Sequence, residues 1–366
     1  MLILNNDEIE GLLTMDTCLE VLNKAYQQLA DGHAVNRPRT DLYLPFPETS
    51  GVYAFKSMEA GLFDPKVVAL RINSDVIRWE DRGDRVVKDK IPKAPGGKWV
   101  GLVLLFSAET GEPLAIFPDG VIQAFRVAAS SAVAARYMAQ ENVTCLGMLG
   151  SGWQARAHVE AFCKVRSFEK VLVFSPTQAN REAFSEEMAA KVGVPVEPCA
   201  DAAMVAEQSQ VLVAATNAIT RVIPPEWVRP GLHFTCVKPS ELGDDTVARA
   251  DRVVLHTRKA APENYIAGMG DERVVAHDPL EFLNAADKDA VERPKEPPWV
   301  DAPELKDVVS GKVAGRTSPE ESTCFINTIG LGLQFAAVGG AVYAEARAKG
   351  VGREIPTEWF LESVHP

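Results

Sequence analysis

The run Gly150-Ser151-Gly152-Trp153-Gln154-Ala155 spaces two glycines and an alanine as G-x-G-x-x-A. The first glycine permits a tight turn, and the second lets a pyrophosphate approach backbone N–H groups with no Cβ in the way. The small third residue lets a following helix pack close to its strand. Alone the pattern is weak. Here it closes the apolar run Val143–Leu149 and opens a helical pattern over Gln154–Val165, the context that a dinucleotide-binding turn requires. A helix starting there directs about half a positive charge at the phosphates. Ser151, Trp153 and Gln154 are further candidate contacts within the turn.

A second group bears on which dinucleotide is held. An acid at the end of the next strand, Lys170–Phe174, would hold a ribose 2′-hydroxyl and repel a 2′-phosphate. Ser175 stands there instead, with Thr177 and Arg181 close behind. Hydroxyls and a guanidinium accept a phosphate, so NADP is expected ahead of NAD. Arg126 is the third feature, a cation on the otherwise apolar helical stretch Val121–Met138. A guanidinium is the natural bidentate holder of a carboxylate, and a lone one on an apolar helix serves equally as a structural ion-pair partner.

These residues need elements to position them. From Val143 onward apolar strands alternate with helices: Val143–Leu149, Lys170–Phe174, Val211–Thr216, His233–Val237 and Arg252–His256, with helices at Gln154–Val165 and Gln178–Val192. Such alternation implies a parallel sheet covered on both faces. Before it lie an amphipathic helix at Met15–Leu29, strands near Leu42–Leu44, Val52–Phe55 and Lys66–Ile72, and a hairpin formed by Val100–Phe106 and Leu114–Phe117. Between Asn73 and Lys98 the pattern breaks; Arg78 to Lys98 holds seven basic and four acidic residues, read as a solvated loop or hairpin, or as a lid over a site. The stretch 278–303 is polar, proline-rich and expected to be partly irregular, and Gly330–Lys349 reads as an apolar, glycine-rich helix.

Composition bounds the remainder. A chain of 366 residues, 46% hydrophobic and 24% charged, suits two globular domains. A net charge of -12 argues against nucleic acid and anionic membranes as partners. The six cysteines show no metal-ligand spacing and read as reduced, buried thiols, so no metal is expected. With no signal-peptide pattern and no apolar run long enough to span a bilayer, a cytoplasmic location is expected.

Three blocks then fall in order: G-E-P-L-A-I-F-P-D-G-V-I-Q-A-F-R-V-A-A-S-S-A, L-G-S-G-W-Q-A-R-A-H and S-G-K-V-A-G-R-T-S-P-E-E-S-T-C-F. Together they resemble the ornithine cyclodeaminase/mu-crystallin family over roughly residues 37–343. The resemblance implies a Rossmann-type parallel sheet domain plus an α+β substrate and dimerisation domain, and a homodimer. On that pattern residues 1–135 and 318–349 form the substrate domain, 140–312 the dinucleotide domain and 350–366 a tail.

The resemblance also implies roles. Arg39 looks like a carboxylate-binding arginine, Lys66 like the lysine that contacts substrate, and Arg126 like the arginine where substrate meets cofactor. Trp153, Gln154, Thr216, Val237 and Thr328 fall on cofactor contacts. Lys56 and Glu59 are competing candidates near the lysine. The aspartate that assists amine chemistry in cyclodeaminases is missing from K-P-S-E-L-G-D-D, with Ser240 or Glu241 nearest; Glu241 is taken as a substrate-binding candidate. The chemistry implied is NAD(P)-dependent hydride transfer to or from the α-carbon of an imino or amino acid or a cyclic imine, with Lys66 and Arg126 catalytic. A cyclodeaminase with recycled NAD, and a non-catalytic nucleotide-dependent binder, are the alternatives.

Overall fold

The alternating half of the chain builds a seven-stranded, all-parallel sheet in the computed structural model, which describes residues 1–46, 51–81, 86–218, 220–259, 261–269, 273–275 and 296–364. Its order is Val196–Cys199, Lys170–Phe174, Cys145–Leu149, Val211–Ala214, His233–Cys236, Thr323–Ile326 and Arg252–Leu255. Strands covered on both faces carry continuous apolar runs, and Cys145–Leu149 is buried at all five positions. The strand order reverses beside Cys145–Leu149, and helix Trp153–Val165 starts there, where α/β sheets bind ligands.

The other half forms an eleven-stranded, mostly antiparallel sheet. Its spine is Thr40–Pro45, Gly51–Leu62, Val67–Asp81, Val100–Ser107 and Pro113–Pro118. Helices Met15–Asp31, Gly120–Met138 and Gly332–Lys349 lie between the two sheets. Helix Gly120–Met138 is buried nearly all round, because Ala124, Ala128, Ala129, Ala132, Ala134 and Ala135 let neighbours approach closely. Met15–Asp31 begins on a Thr14 side-chain cap and ends at Gly32, whose φ of 78° is the left-handed stop that glycine supplies.

The strand pairing departs from the expected domain bounds at three places. Residues 263–266 lie within the stretch expected to be purely dinucleotide domain, yet Glu263–Ile266 pairs in parallel with Thr40–Pro45 in the other sheet. Thr323–Ile326, expected with the substrate domain, is inserted in the parallel sheet between His233–Cys236 and Arg252–Leu255. In the tail, Arg353–Glu354 pairs with Leu2–Ile3. The charged segment is a hairpin in its described part. Val67–Asp81 forks, pairing over residues 67–74 with Val100–Ser107 and over residues 76–81 with Val86–Ile91. Its tip, residues 82–85, lies outside the described residues, as does most of the proline-rich stretch through residue 295.

Candidate active site

The glycine turn has the geometry its sequence requires. Gly150 sits at φ 118°, and a Cβ there would lie 2.3 Å from the carbonyl oxygen of Ala215. A side chain at Gly152, by contrast, would meet nothing within 4 Å, so the space over that residue is open to a ligand. Gly152 caps helix Trp153–Val165 without any side-chain bond to the first turn. A helix start that Gly152 leaves without a side-chain cap, with open space above that residue, offers a donor set that fits a pyrophosphate. Gln154 Oε1, in the first turn of that helix, is buried and has no partner among the described residues.

At the neighbouring strand end, Ser175 is buried, and Arg181 donates from Nη1 to the Ser175 carbonyl at 3.0 Å. Thr177 caps the next helix without using its side chain. No carboxylate occurs between Phe174 and Arg181.

Glu241 departs from expectation. It is fully buried among the loops that follow Val211–Ala214 and His233–Cys236, and it does not line the cavity described below. Its Oε1 accepts from Thr216 N at 2.8 Å and Thr216 Oγ1 at 2.6 Å; its Oε2 accepts from Val237 N at 3.0 Å and Lys238 N at 3.1 Å. Burial raises its pKa from the ordinary value, against the pull of these bonds. Glu241 therefore clamps Thr216 and Val237 rather than offering itself to a substrate. Thr328 is likewise engaged, donating from Oγ1 to the carbonyl of Thr257 at 3.2 Å.

A cavity of about 600 Å³ opens beside the glycine turn, bounded by Trp153 and Gly330 on one side and by the antiparallel sheet on the other. Arg39 and Arg126 both line it, as expected. Lys66 does not. It stands in the turn between Gly51–Leu62 and Val67–Asp81, half exposed and paired with Glu109 at 2.8 Å. Two other lysines line the cavity, Lys90 and Lys56, and Lys56 lies six positions back along the strand from the turn's start at Leu62, about 20 Å at ~3.3 Å per residue. Lys56 is buried, lies across from Asn73, and donates to Asp75 Oδ2 at 3.0 Å.

Arg71, Asn73, Asp75 and Asp119, none foreseen, complete the wall. Arg71 donates twice to Asp119 Oδ2, at 2.8 and 2.5 Å. The signal that could have found them is phase. Val67, Ala69, Ile77 and Trp79 occupy the buried phase of one strand, and Arg71, Asn73 and Asp75 share it. Polar groups in the apolar register of a strand demand partners or a ligand. Lys56 sits in the same way between Ala54 and Met58.

The electrostatics follow from this burial. Burial first, and then the charge of Lys90, lower the Lys56 pKa to about 8, although Asp75 pulls it upward. Arg126 is held by side-chain amides alone: Nη1 donates to Gln334 Oε1 at 2.9 Å and Nη2 to Gln123 Oε1 at 2.8 Å, while Nε has no partner among the described residues. Burial, and then Arg71, lower the Arg126 pKa to about 9. Its guanidinium lies 5.3 Å from the ring centre of Phe335. Arg39, in contrast, is paired by two bonds to Asp41. Among the described residues no group of three or more His, Cys, Asp or Glu side chains could hold a metal, and no helix is long and apolar enough to cross a membrane.

Comparison with known proteins follows the same lines. The model of the ornithine cyclodeaminase/mu-crystallin family matches residues 1–350. A Delta(1)-pyrroline-2-carboxylate reductase of Bacillus cereus is 28% identical over 361 residues, covering 97% of this chain and 99% of that protein. Alanine dehydrogenase of Archaeoglobus fulgidus is 26% identical over 360 residues, covering 97% and 98%. Among solved structures, Thermococcus litoralis Delta(1)-pyrroline-2-carboxylate reductase in complex with NADH and L-proline aligns with a TM-score of 0.74 at 26% identity, covering 97% of this chain and all of that one.

Proposed function

The chain belongs to the ornithine cyclodeaminase/mu-crystallin family, and on that footing we propose that it is an NAD(P)-dependent oxidoreductase moving hydride to or from the α-carbon of an imino or amino acid or a cyclic imine. The carrying observation is continuity: Trp153 of the glycine turn lines the same cavity as Arg39, Lys56 and Arg126. A bound reduced pyridine nucleotide supplies the hydride. Arg126, with no carboxylate of its own, takes the substrate carboxylate, and Arg39 stands as the second cation. As the α-carbon gains hydride, the electron pair of the C=N bond moves to nitrogen, and Lys56 gives that nitrogen its proton. Such positioning is worth up to about 7–11 kcal/mol of barrier. The clamped Thr216 and Val237, with Thr328, are the contacts proposed for the nicotinamide side. Because Glu241 is spent on that clamp, its loop brings no acid to the cavity, which favours net redox over cyclodeamination.

For the nucleotide, we favour NADP over NAD, on the uncharged strand end and the adjoining Arg181. The test is consumption of NADPH and of NADH, followed by near-ultraviolet absorbance, with imines formed from 2-oxo acids and amines and with cyclic imines. Turnover with NADPH at a kcat/KM about tenfold above that with NADH is expected, and Ser175→Asp should reverse the order. No oxidation of either nucleotide with any imine would refute the reading.

A homodimer is also proposed, supported by Leu42, Leu44 and Tyr265, which project from neighbouring strands as exposed apolar side chains. Light scattering should give twice the chain mass of 39.7 kDa; a monomer at micromolar concentration would refute it. Six free thiols, five of them buried, suit the reducing compartment of a cytoplasmic protein.

A further inference from the structure

The cavity carries more positive charge than one carboxylate substrate can answer. Asp75 Oδ2 accepts from Lys56 at 3.0 Å and also from Lys90 at 2.8 Å, so a single oxygen serves two ammonium groups. Among the described residues, the side-chain partners of the Arg126 guanidinium are the amides of Gln334 and Gln123. Arg39 and Arg71, by contrast, each own a carboxylate, in Asp41 and Asp119. Two charges are therefore unmatched, one at Arg126 and one at the Lys56–Lys90 pair, in different walls of one cavity. Unmatched charge out of bulk water is costly and marks a place for a counter-ion. The chain's net charge of -12 makes this a local device rather than a general attraction for anions.

Lys90 belongs to the charged hairpin, on strand Val86–Ile91. The rim residue Trp99 holds it there, donating from Nε1 to the Lys90 carbonyl at 3.1 Å. The Lys90 side chain is half exposed at the cavity rim, and Asp75 orients its ammonium.

We propose that the substrate is a short 2-imino or 2-amino acid with an acidic side chain, its α-carboxylate on Arg126 and its distal carboxylate on Lys90. The assignment rests on the oxidoreductase reading of the site and deepens it by naming the substrate's second charge. Lys90 is then a specificity residue, and the hairpin is the element that supplies it.

The test is calorimetric titration of the protein, saturated with NADPH, with succinate and with butyrate, which share a carbon count but differ by one charge. Succinate should bind at least about tenfold more tightly, a difference of ~1.4 kcal/mol. Lys90→Gln should bring the two within about twofold, and Lys90→Arg should keep most of the preference. Thermal denaturation checks that the variants are folded. Equal or undetectable binding of the two acids, or a preference undiminished in Lys90→Gln, overturns the proposal. Turnover separates the two readings. If imines of monocarboxylic oxo acids are reduced but succinate is not preferred, the charge assignment fails alone. If succinate is preferred but no imine consumes NADPH, the oxidoreductase reading fails and the dianion site stands.

Discussion

Lys56→Ala will lower kcat for imine reduction by two to four orders of magnitude, the usual worth of a positioned acid or base, while Lys66→Ala will leave it within about twofold. The contrast is sharp because the two lysines lie on one hairpin and differ chiefly in place. Lys66 shares solvent with Glu109, whereas Lys56 is buried against Asp75 at the cavity wall. The pH profile gives a second readout. With its pKa lowered to about 8, the amine loses its proton well below the ordinary value of 10.5. Donation to the substrate nitrogen needs the ammonium, so reductive kcat should be level below that pH and fall as pH rises through it. Amine oxidation needs the free base and should rise over the same window. Lys90→Gln removes a neighbouring positive charge and should move both inflections upward. Steady-state kinetics of the three variants decide the matter, and a wild-type turnover rate retained in Lys56→Ala would end the assignment.

Arg126→Met should lower kcat/KM by a factor of about 30 to several thousand, the ~2–5 kcal/mol lost when one member of a buried charge pair is removed. The same change should leave thermal stability level or raise it. Among the described residues Arg126 has no carboxylate partner to orphan, and its Nε is unsatisfied already. Gln334 keeps its bonds to Leu331 N, to Ser130 Oγ and to the carbonyl of residue 126. Replacing an unmatched buried charge with an apolar side chain of similar length is often neutral or stabilising. A structural ion-pair residue would behave in the opposite way, with a large drop in melting temperature and modest kinetics. Paired denaturation curves and kinetics distinguish the two.

Much of this arrangement was legible from residue order, for identifiable reasons. The glycine turn is read from a local requirement, because only glycine tolerates the φ of 118° at residue 150 beside the Ala215 carbonyl. Helices are read from their period. Gln178–Val192 agrees at both ends, Met15–Leu29 runs two residues further to Asp31, and Gly330–Lys349 starts two residues later at Gly332. Lys66 stands out in the sequence because it opens an apolar run and resembles a family position, whereas Lys56, which lines the cavity, is a single cation inside an alternating strand. Its electrostatic setting depends on Asp75 and Lys90, which only strand pairing brings to it. The burial of Glu241 away from the cavity was hidden for a related reason. Nothing in K-P-S-E states that a three-residue 3-10 turn will fold the carboxylate back onto the amides of residues 216, 237 and 238. Glu263–Ile266 was missed altogether; four residues with one aliphatic side chain carry little periodic signal, and the partner strand lies more than two hundred residues earlier.

That short strand has a bearing on re-engineering. Its first amide, on Glu263, donates to the carbonyl of Arg39 at 3.0 Å, so the nucleotide half of the gene encodes a backbone support for an arginine that lines the cavity. Neither lobe is one uninterrupted stretch of codons. A chimaera that transplants residues 140–330 from a relative would import a foreign seat for Arg39 with its new nucleotide pocket. Altering coenzyme choice by point changes at Ser175 and Arg181 leaves that seam untouched.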